Sequence, residues 1–338
     1  MLTMTAVRSI FAVITAIMLL SLTAASSCWA AQPQKYAFAL TNSHAQNLDA
    51  LLSNKNIDGI ALQEVWAMLE PQEGQYHFEQ LDLALQRAAA HRKLVSLHVM
   101  ASPRVPMWLK ESGAEFFSGV DFRGRPVTDV VPWDKVYSEK FGRFLNKLSE
   151  HLRQQRLYNS VFALGVVVPV AEMNLVGCHH GKLGSVSYDR SAYLSACKTI
   201  IAKYSGSFPQ ARKFISPPMR DLICFPTQDR EFYRELMDDS IRRYGTTCWM
   251  FAADLNAEGS ERTSNYRDLT RKTGLGYQTI WSSTDDPSLR MKGFYPQNLQ
   301  LAIKKGLANG AEYFEIYAVD VLNPSTEIQG ALSLIHRN

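Results

Sequence analysis

Short β-rich runs alternate with helical periodicity along most of the chain, and this alternation limits the possible folds more than any other feature. Runs typical of strands occur at eight places, namely 36–41, 59–63, 94–100, 161–170, 213–216, 247–253, 276–281 and 312–319. Between them, apolar residues such as Phe141, Phe144 and Leu148 repeat at helical spacing. An open doubly wound sheet that binds a nucleotide would carry a GxGxxG turn, which the chain lacks. The pattern therefore predicts an α/β protein with a closed (β/α)8 barrel, the TIM barrel.

The first thirty residues have the pattern of a secretory signal peptide. The basic residue Arg8 precedes an apolar stretch from Ile10 to Leu22, and small residues follow it. This stretch is shorter than the ~20 residues that a membrane-spanning helix needs. We therefore expect residues 1–30 to be a signal peptide, residues 31–338 to form a single barrel domain, and the protein to be periplasmic or secreted. Two alternatives stay open, namely retention of the stretch as an anchor and lipid attachment at Cys28.

The distribution of charged residues and histidines argues against several classes of partner. The 36 basic and 32 acidic residues are scattered along the chain, so no basic cluster indicates a nucleic-acid partner. His179 and His180 are adjacent and would point in different directions, and no third ligand is evident, so we predict no metal site. No motif indicates a cofactor.

The cysteines allow one disulfide bond. Four of the five cysteines follow the predicted signal peptide. Cys178 and Cys224 fall in polar segments after predicted strands, whereas Cys197 and Cys248 lie in apolar stretches of a helix and a strand. If one pair bridges in an oxidising compartment, we favour Cys178 with Cys224; four free thiols are the alternative.

The most informative segment is "GIALQEVWAMLEPQEGQYHFEQLD", residues 59–82. It resembles the second βα unit of the clan A glycoside hydrolases, especially the β-galactosidase-like enzymes, in which a tryptophan ends the strand and "LEP..G.Y.F..LD" leads into the helix. The segment "KLVSLHVMASPRVPMWL", residues 93–109, resembles their third strand and its loop, and "VPWDKVYSEKFGRFL", residues 131–145, the entry to their third helix. This resemblance implies a sugar-cleaving TIM barrel.

The resemblance also implies positions for two catalytic carboxylates. In these enzymes the fourth strand ends with the general acid/base glutamate, usually directly after an asparagine. Glu172 occupies that position, but here Ala171 precedes it and Asn174 follows it. The family nucleophile is a glutamate on strand seven, where this chain has Gln278 in "GYQTIWSS".

Strand eight offers a replacement for the missing nucleophile. In "AEYFEIYAVD", alternation directs Tyr313, Glu315 and Tyr317 towards the barrel axis and Phe314 and Ile316 towards the helices. Hydrolysis of a glycosidic bond uses two carboxyl groups about 5 Å apart with a nucleophile, or ~6.5 to 9.5 Å apart with a water between them. We therefore predict Glu172 as the proton donor and Glu315 as the nucleophile or the stabiliser of the oxocarbenium ion. A buried salt bridge would explain Glu315 equally well.

Other polar and aromatic residues near predicted strand ends are candidates for binding the sugar. Active sites of TIM barrels lie at the carboxyl ends of the strands. Gln63 and Glu64 are consecutive, so only one can face inward. The predicted substrate-binding residues are Trp66, His98, Trp108, Asn174, Arg220, Asp254, Gln278, Trp281, Tyr317 and Asp320. The sequence thus predicts an exported hydrolase of a β-linked sugar; the alternative is a carbohydrate-binding protein on a hydrolase barrel that has lost catalysis.

Overall fold

The computed structural model describes residues 35–102, 105–120, 126–166, 178–179, 182–183, 186–216, 230–260, 263, 266, 268–283 and 298–337. The predicted signal peptide therefore lies outside the described residues. The structure confirms the predicted (β/α)8 barrel, because its main sheet closes on itself. The barrel strands are β1 (Tyr36–Thr41), β2 (Gly59–Val65), β3 (Leu94–Met100), β4 (Val161–Val166), β5 (Arg212–Ile215), β6 (Cys248–Leu255), β7 (Leu275–Thr279) and β8 (Tyr313–Tyr317).

All eight strands pair in parallel with their neighbours in sequence, and β1 closes the barrel against β8. Residues 167–170, which the sequence assigned to the fourth strand, lie outside the described residues. The helices are α1 (Leu48–Leu52), α2 (Trp66–Leu69), α3 (Glu79–Ala90), α4 (Trp108–Glu111), α5 (Lys135–Gln154), α6 (Arg190–Ser207), α7 (Arg230–Tyr244), α8 (Leu299–Ala308), α9 (Ala318–Val321) and α10 (Thr326–Ser333). No helix of the described ranges is long and apolar enough to span a membrane.

Capping residues mark the ends of the long helices. Asp134 precedes α5 and its carboxylate accepts a 2.7 Å hydrogen bond from the backbone N–H of Tyr137. Asp189 caps α6 in the same way. After α8, Gly310 has a φ of 86°, a left-handed conformation that glycine adopts without strain. These caps give hydrogen-bond partners to backbone N–H groups in the first turn, so the helix ends can pack close to the barrel.

The barrel separates two apolar clusters. The larger outer core lies between strands and helices and includes Phe314 and Ile316, whereas a smaller interior cluster lies within the ring of strands. Phe38, Phe214, Phe251 and Tyr313 belong to this interior cluster, and their side chains have at most 1% exposed surface. Large rings therefore fill the barrel below the carboxyl ends of its strands.

The motif segment, residues 59–82, forms β2, α2 and the start of α3 around the carboxylate of Glu70. This side chain has 0% exposed surface. Its Oε2 atom accepts a 2.8 Å hydrogen bond from the indole of Trp66, and its Oε1 atom accepts a 2.9 Å bond from the backbone N–H of Gly74. Arg143 of α5 lies 3.3 Å from the same Oε1 atom. The motif thus fastens the second βα unit to α5.

Two small sheets lie outside the barrel. Phe116–Val120 and Pro126–Val130 form an antiparallel hairpin after β3, and the short strands Cys178–His179, Lys182–Leu183 and Val186–Ser187 form the second sheet. Both follow the carboxyl ends of barrel strands, so they belong to the face where TIM barrels carry their sites.

Candidate active site

Glu315 is the centre of a buried polar cluster inside the barrel. Its side chain faces the interior, as alternation along β8 predicts, and it has 0% exposed surface. The phenol of Tyr313 donates a 2.6 Å hydrogen bond to the Oε1 atom of Glu315. The Nε2 atom of His98 lies 2.8 Å from the same oxygen. Burial, together with the negative charge of Glu315, raises the pKa of Tyr313 well above its usual value, so this phenol keeps its proton.

His98 reaches Glu315 because β3 and β4 leave room for its ring. On β3, the Oγ atom of Ser96 lies 3.0 Å from the Nε2 atom of His98. On β4, Gly165 pairs in register with His98, and a Cβ atom at Gly165 would lie 2.1 Å from the Nδ1 atom of the imidazole. Only glycine fits at this position of β4. The space that the missing side chain leaves lets the imidazole of His98 reach Glu315.

Gln278 is the neighbour of Glu315 on the adjacent strand. The two residues pair in register between β7 and β8. Neighbouring strands are about 4.8 Å apart, so the carboxylate of strand eight lies one strand away from the position at which the resemblance expects a nucleophile. The Oε2 atom of Glu315 is buried and has no hydrogen-bond partner in the part of the chain that the structure describes.

Several predicted site residues cannot be placed. Glu172, Asn174 and Arg220 lie outside the described residues, as does Cys224 of the predicted disulfide bond. Cys197 and Cys248 are free thiols in buried positions. In the described ranges, no cluster of three or more histidine, cysteine or carboxylate side chains could hold a metal ion.

The predicted aromatic platforms fall into two groups. Trp66 is completely buried in the outer core, and Trp108 packs edge-on against it while its indole donates a 2.9 Å hydrogen bond to the carbonyl of Glu70. This placement favours a packing role for both rings. Trp281 and Tyr317 are only partly buried; Trp281 follows β7, and Tyr317 ends β8 against the interior cluster. The Nε1 atom of Trp281 is buried and lacks a hydrogen-bond partner among the described residues.

The predicted carboxylates Asp254 and Asp320 both bind neighbouring loops. Asp254 accepts a 2.6 Å hydrogen bond from the hydroxyl of Ser260, and its charge acts on Tyr277, whose ring belongs to the outer core. Asp320 is completely buried and accepts hydrogen bonds from the hydroxyl of Ser282 at 3.0 Å and the backbone N–H of Ser283 at 2.8 Å. Asp320 thereby holds the segment after β7 against α9.

Sequence reasoning missed a buried carboxyl group after β3. Asp129 lies on the hairpin with 1% exposed surface. Its carboxyl group accepts hydrogen bonds from the hydroxyl of Ser102 and, at 2.8 Å, from the backbone N–H of Val130. Burial raises the pKa of Asp129 to about 7 despite these hydrogen bonds. The pairing depends on the hairpin, and no spacing in the sequence indicates it.

The structure also separates the roles of Gln63 and Glu64. Gln63 pairs in register with His98, and Ala61, two residues earlier, belongs to the interior cluster, so Gln63 faces inward. Glu64 instead accepts a 2.7 Å hydrogen bond from the backbone N–H of Ser43. Burial raises the pKa of Glu64. Among the described residues, the polar lining of the barrel next to Glu315 therefore includes Gln63, Ser96, His98 and Gln278.

Comparisons with known proteins agree with this architecture. Residues 40–159 match the glycoside hydrolase family 42 model, which is described as beta-galactosidase. The catalytic domain of a beta-amylase from Paenibacillus polymyxa superposes with a TM-score of 0.60 at 10% identity, covering 90% of this chain and 99% of that chain. No curated protein matches the sequence.

Two xylanases have similar structures. The enzyme from Paenibacillus barcinonensis gives a TM-score of 0.54 at 13% identity, with 85% of this chain and 84% of that chain covered. An endo-1,4-beta-xylanase from Caldicellulosiruptor owensensis gives 0.51 at 12% identity, with 84% and 85% covered. At such identities the structural likeness shows the fold. The chain is a (β/α)8 barrel that resembles the clan A glycoside hydrolases, and its match to the beta-galactosidase family extends from the end of β1 to residue 159, just before β4.

Proposed function

We propose that this protein is an exported glycoside hydrolase that cleaves a β-linked sugar with Glu172 as general acid/base and Glu315 as nucleophile or electrostatic stabiliser. One observation carries the proposal. The carboxylate of Glu315 lies inside the barrel on β8, in register with Gln278 of β7, and β7 is the strand on which the β-galactosidase-like enzymes carry the nucleophile. The match of residues 40–159 to the beta-galactosidase family supports a sugar as the substrate.

The partners of Glu315 are suited to fixing a carboxylate. Tyr313 and His98 both contact its Oε1 atom, so the carboxyl plane is held by two strands, and the Oε2 atom is left for a reacting centre. In this mechanism Oε2 attacks the anomeric carbon or stabilises its positive charge while Glu172 protonates the leaving oxygen. Because Glu315 is fully buried, the sugar ring must reach it from the carboxyl ends of the strands.

The proposed binding residues divide between described and undescribed parts of the chain. Trp281 and Tyr317 are only partly buried, after β7 and at the end of β8, and their rings could stack on the apolar face of a pyranose. Gln278 could donate a hydrogen bond to a sugar hydroxyl. Asn174 and Arg220 remain proposed contacts from the loops after β4 and β5.

The test is turnover of aryl β-glycosides by Glu172→Gln and Glu315→Gln. Each substitution keeps the side-chain shape but removes the charge, so we expect each to lower kcat by at least ~1000-fold. Glu64→Gln is the matched control because it makes the same change at a buried carboxylate near a strand end, one that accepts a hydrogen bond from the backbone N–H of Ser43 and does not line the barrel axis. Wild-type turnover in a folded Glu315→Gln enzyme would remove Glu315 from the mechanism.

A second candidate function is carbohydrate binding without cleavage. It is favoured by the contact of Glu315 with His98 at 0% and 1% side-chain exposure, since a carboxylate sealed inside a barrel that lacks the family nucleophile does no chemistry. Calorimetric titration with β-linked oligosaccharides, followed by analysis for released sugar, separates the two functions. Saturable binding with no product from any tested linkage would favour this second function.

A further inference from the structure

Exposed cations gather at the end of the barrel opposite the candidate active site. In a TIM barrel the links from each helix to the next strand lie at the amino-terminal face. Lys55 lies in the link between α1 and β2, Arg92 between α3 and β3, and Arg156 between α5 and β4, and all three are exposed. Arg337 is exposed near the end of the chain, beside His336, whose Nε2 atom lies 3.3 Å from the carbonyl of Asn56 in the first of these links.

These four cations lie under adjacent strands because β1 to β4 are neighbours in the barrel. Together they form the basic arc: Lys55, Arg92, Arg156 and Arg337. None of the four makes an ion pair with a described carboxylate. Across the face, by contrast, Arg242 and Arg243 pair with Asp239, and Lys272 pairs with Asp238. The four charges of the arc are therefore not compensated by an ion pair among the described residues.

The carboxylates on the same side do not neutralise the arc. Asp58 is partly buried; its Oδ2 atom accepts a 2.7 Å hydrogen bond from the backbone N–H of Ala37 and lies 3.7 Å from His336. Glu312 is also partly buried and interacts with Arg212. The guanidinium of Arg212 lies 4.1 Å from the ring centre of Phe162 and closes the interior cluster at this end.

Two residues of the basic arc also have an unusual backbone conformation. Arg92 and Arg156 have φ values of 56° and 61° directly after the cap residues of α3 and α5. Glycine is usual at this position because a side chain is strained there. A cation near a helix carboxyl end is favourable, but Arg87 in α3 and Arg153 in α5 already supply that charge within the last turn. Arginine at both strained positions indicates a use for the charge beyond the helix.

We propose that the basic arc docks the protein onto an anionic phospholipid surface. The cations come from separate links and spread over a face, which suits a plane of headgroups better than a single polyanionic strand. An open cavity of about 500 Å³ at Arg153, Arg156 and Tyr158 lies at one end of the arc, with room for a headgroup. Docking here directs the candidate active site away from the membrane.

The experiment measures binding of the full chain to phosphatidylcholine vesicles with and without 30% phosphatidylglycerol. The dependence on phosphatidylglycerol is the readout, because an apolar amino-terminal stretch would bind both vesicle types alike. Arg92→Gly with Arg156→Gly removes two charges and relieves the strained backbone, so the double variant should fold. We expect it to lose roughly 25-fold in affinity for the anionic vesicles, about fivefold per charge.

The matched control is Lys110→Gln with Lys135→Gln, which removes two exposed charges near the opposite end of the barrel. Wild type and this control should bind anionic vesicles alike, and more weakly as salt rises. The proposal is overturned if the arc variant binds as tightly as wild type, or if the control loses as much as the arc variant. It is also overturned if double-stranded DNA competes the protein off the vesicles at equal phosphate concentration, since the arc would then serve nucleic acid.

Discussion

Asp129 makes the stability of the protein depend on pH near neutrality. Burial raises the pKa of its carboxyl group from 3.8 to about 7, so between these values the folded protein keeps a proton that the unfolded chain has released. The free energy of unfolding attributable to Asp129 is therefore largest below pH 4 and is lost as the pH rises to 7. Asp129→Asn removes this dependence because the amide does not titrate.

Between pH 5 and pH 8 we expect wild type to lose about 3 kcal/mol of unfolding free energy relative to Asp129→Asn, because only wild type has the titrating carboxyl group. Urea unfolding of both proteins at the two pH values measures it. Ser102→Ala is the control, because it removes the hydroxyl that donates to Asp129 but leaves the titrating carboxyl in place. Parallel pH profiles for wild type and Asp129→Asn would show that Asp129 titrates normally.

The sequence predicts the direction of a side chain along a strand but not its contacts with distant parts of the chain. Alternation along β8 predicts the inward direction of Glu315, because that direction is a local property of a strand. The contact of Glu315 with His98 needs the closed barrel and the missing side chain at Gly165, so it appears only in the structure. The raised pKa of Asp129 depends on a hairpin that brings it to Ser102 across 27 residues. Long-range burial of this kind leaves no periodic signal.

At the scale of elements, Glu70 should decide the stability of the second βα unit. Glu70→Ala leaves the indole N–H of Trp66 and the backbone N–H of Gly74 without their acceptors, and both were satisfied by a fully buried carboxylate. We expect a loss of about 3 kcal/mol in the free energy of unfolding, measured by urea denaturation. Glu73→Ala is the matched control, because Glu73 is exposed and pairs with Lys140 and Arg143 at the surface. Its expected change is within ~1 kcal/mol; equal losses in the two variants would contradict the role of Glu70.

The structure explains why the sequence resemblance predicts the fold better than the chemistry. Trp66, Glu70 and Gly74 of the matching motif build a scaffold, and their contacts lie outside the barrel axis. Asp82 of the same motif binds His151 of α5 at 2.8 Å, again between helices. A chain can therefore keep this motif while changing the carboxylates at its strand ends. The hairpin Phe116–Val120 with Pro126–Val130 was not predicted, because it is an extra element within a loop of the repeating pattern.

At the scale of the whole molecule, closure of the barrel depends on β1. Tyr36 to Leu40 pair in register with Tyr313 to Tyr317 of β8, and Phe38 to Thr41 pair with β2 on the other side. The rings of Tyr36 and Phe38 also contact Phe162 at centroid distances of 4.7 and 5.4 Å. Because β1 is hydrogen-bonded to a neighbour on each side, losing it should open the barrel and leave two unpaired edges.

We therefore predict opposite outcomes for two truncations. A chain that begins at Ala31, as expected after removal of the signal peptide, should unfold in urea at the same midpoint as the full chain, because β1 to β8 are all present. A chain that begins at Asn42 lacks β1 and should lose its near-ultraviolet circular dichroism, since the aromatic rings of the interior cluster would no longer pack in a closed ring. If the chain from Ala31 failed to fold, part of residues 1–30 would belong to the domain, and the proposed signal peptide would be wrong.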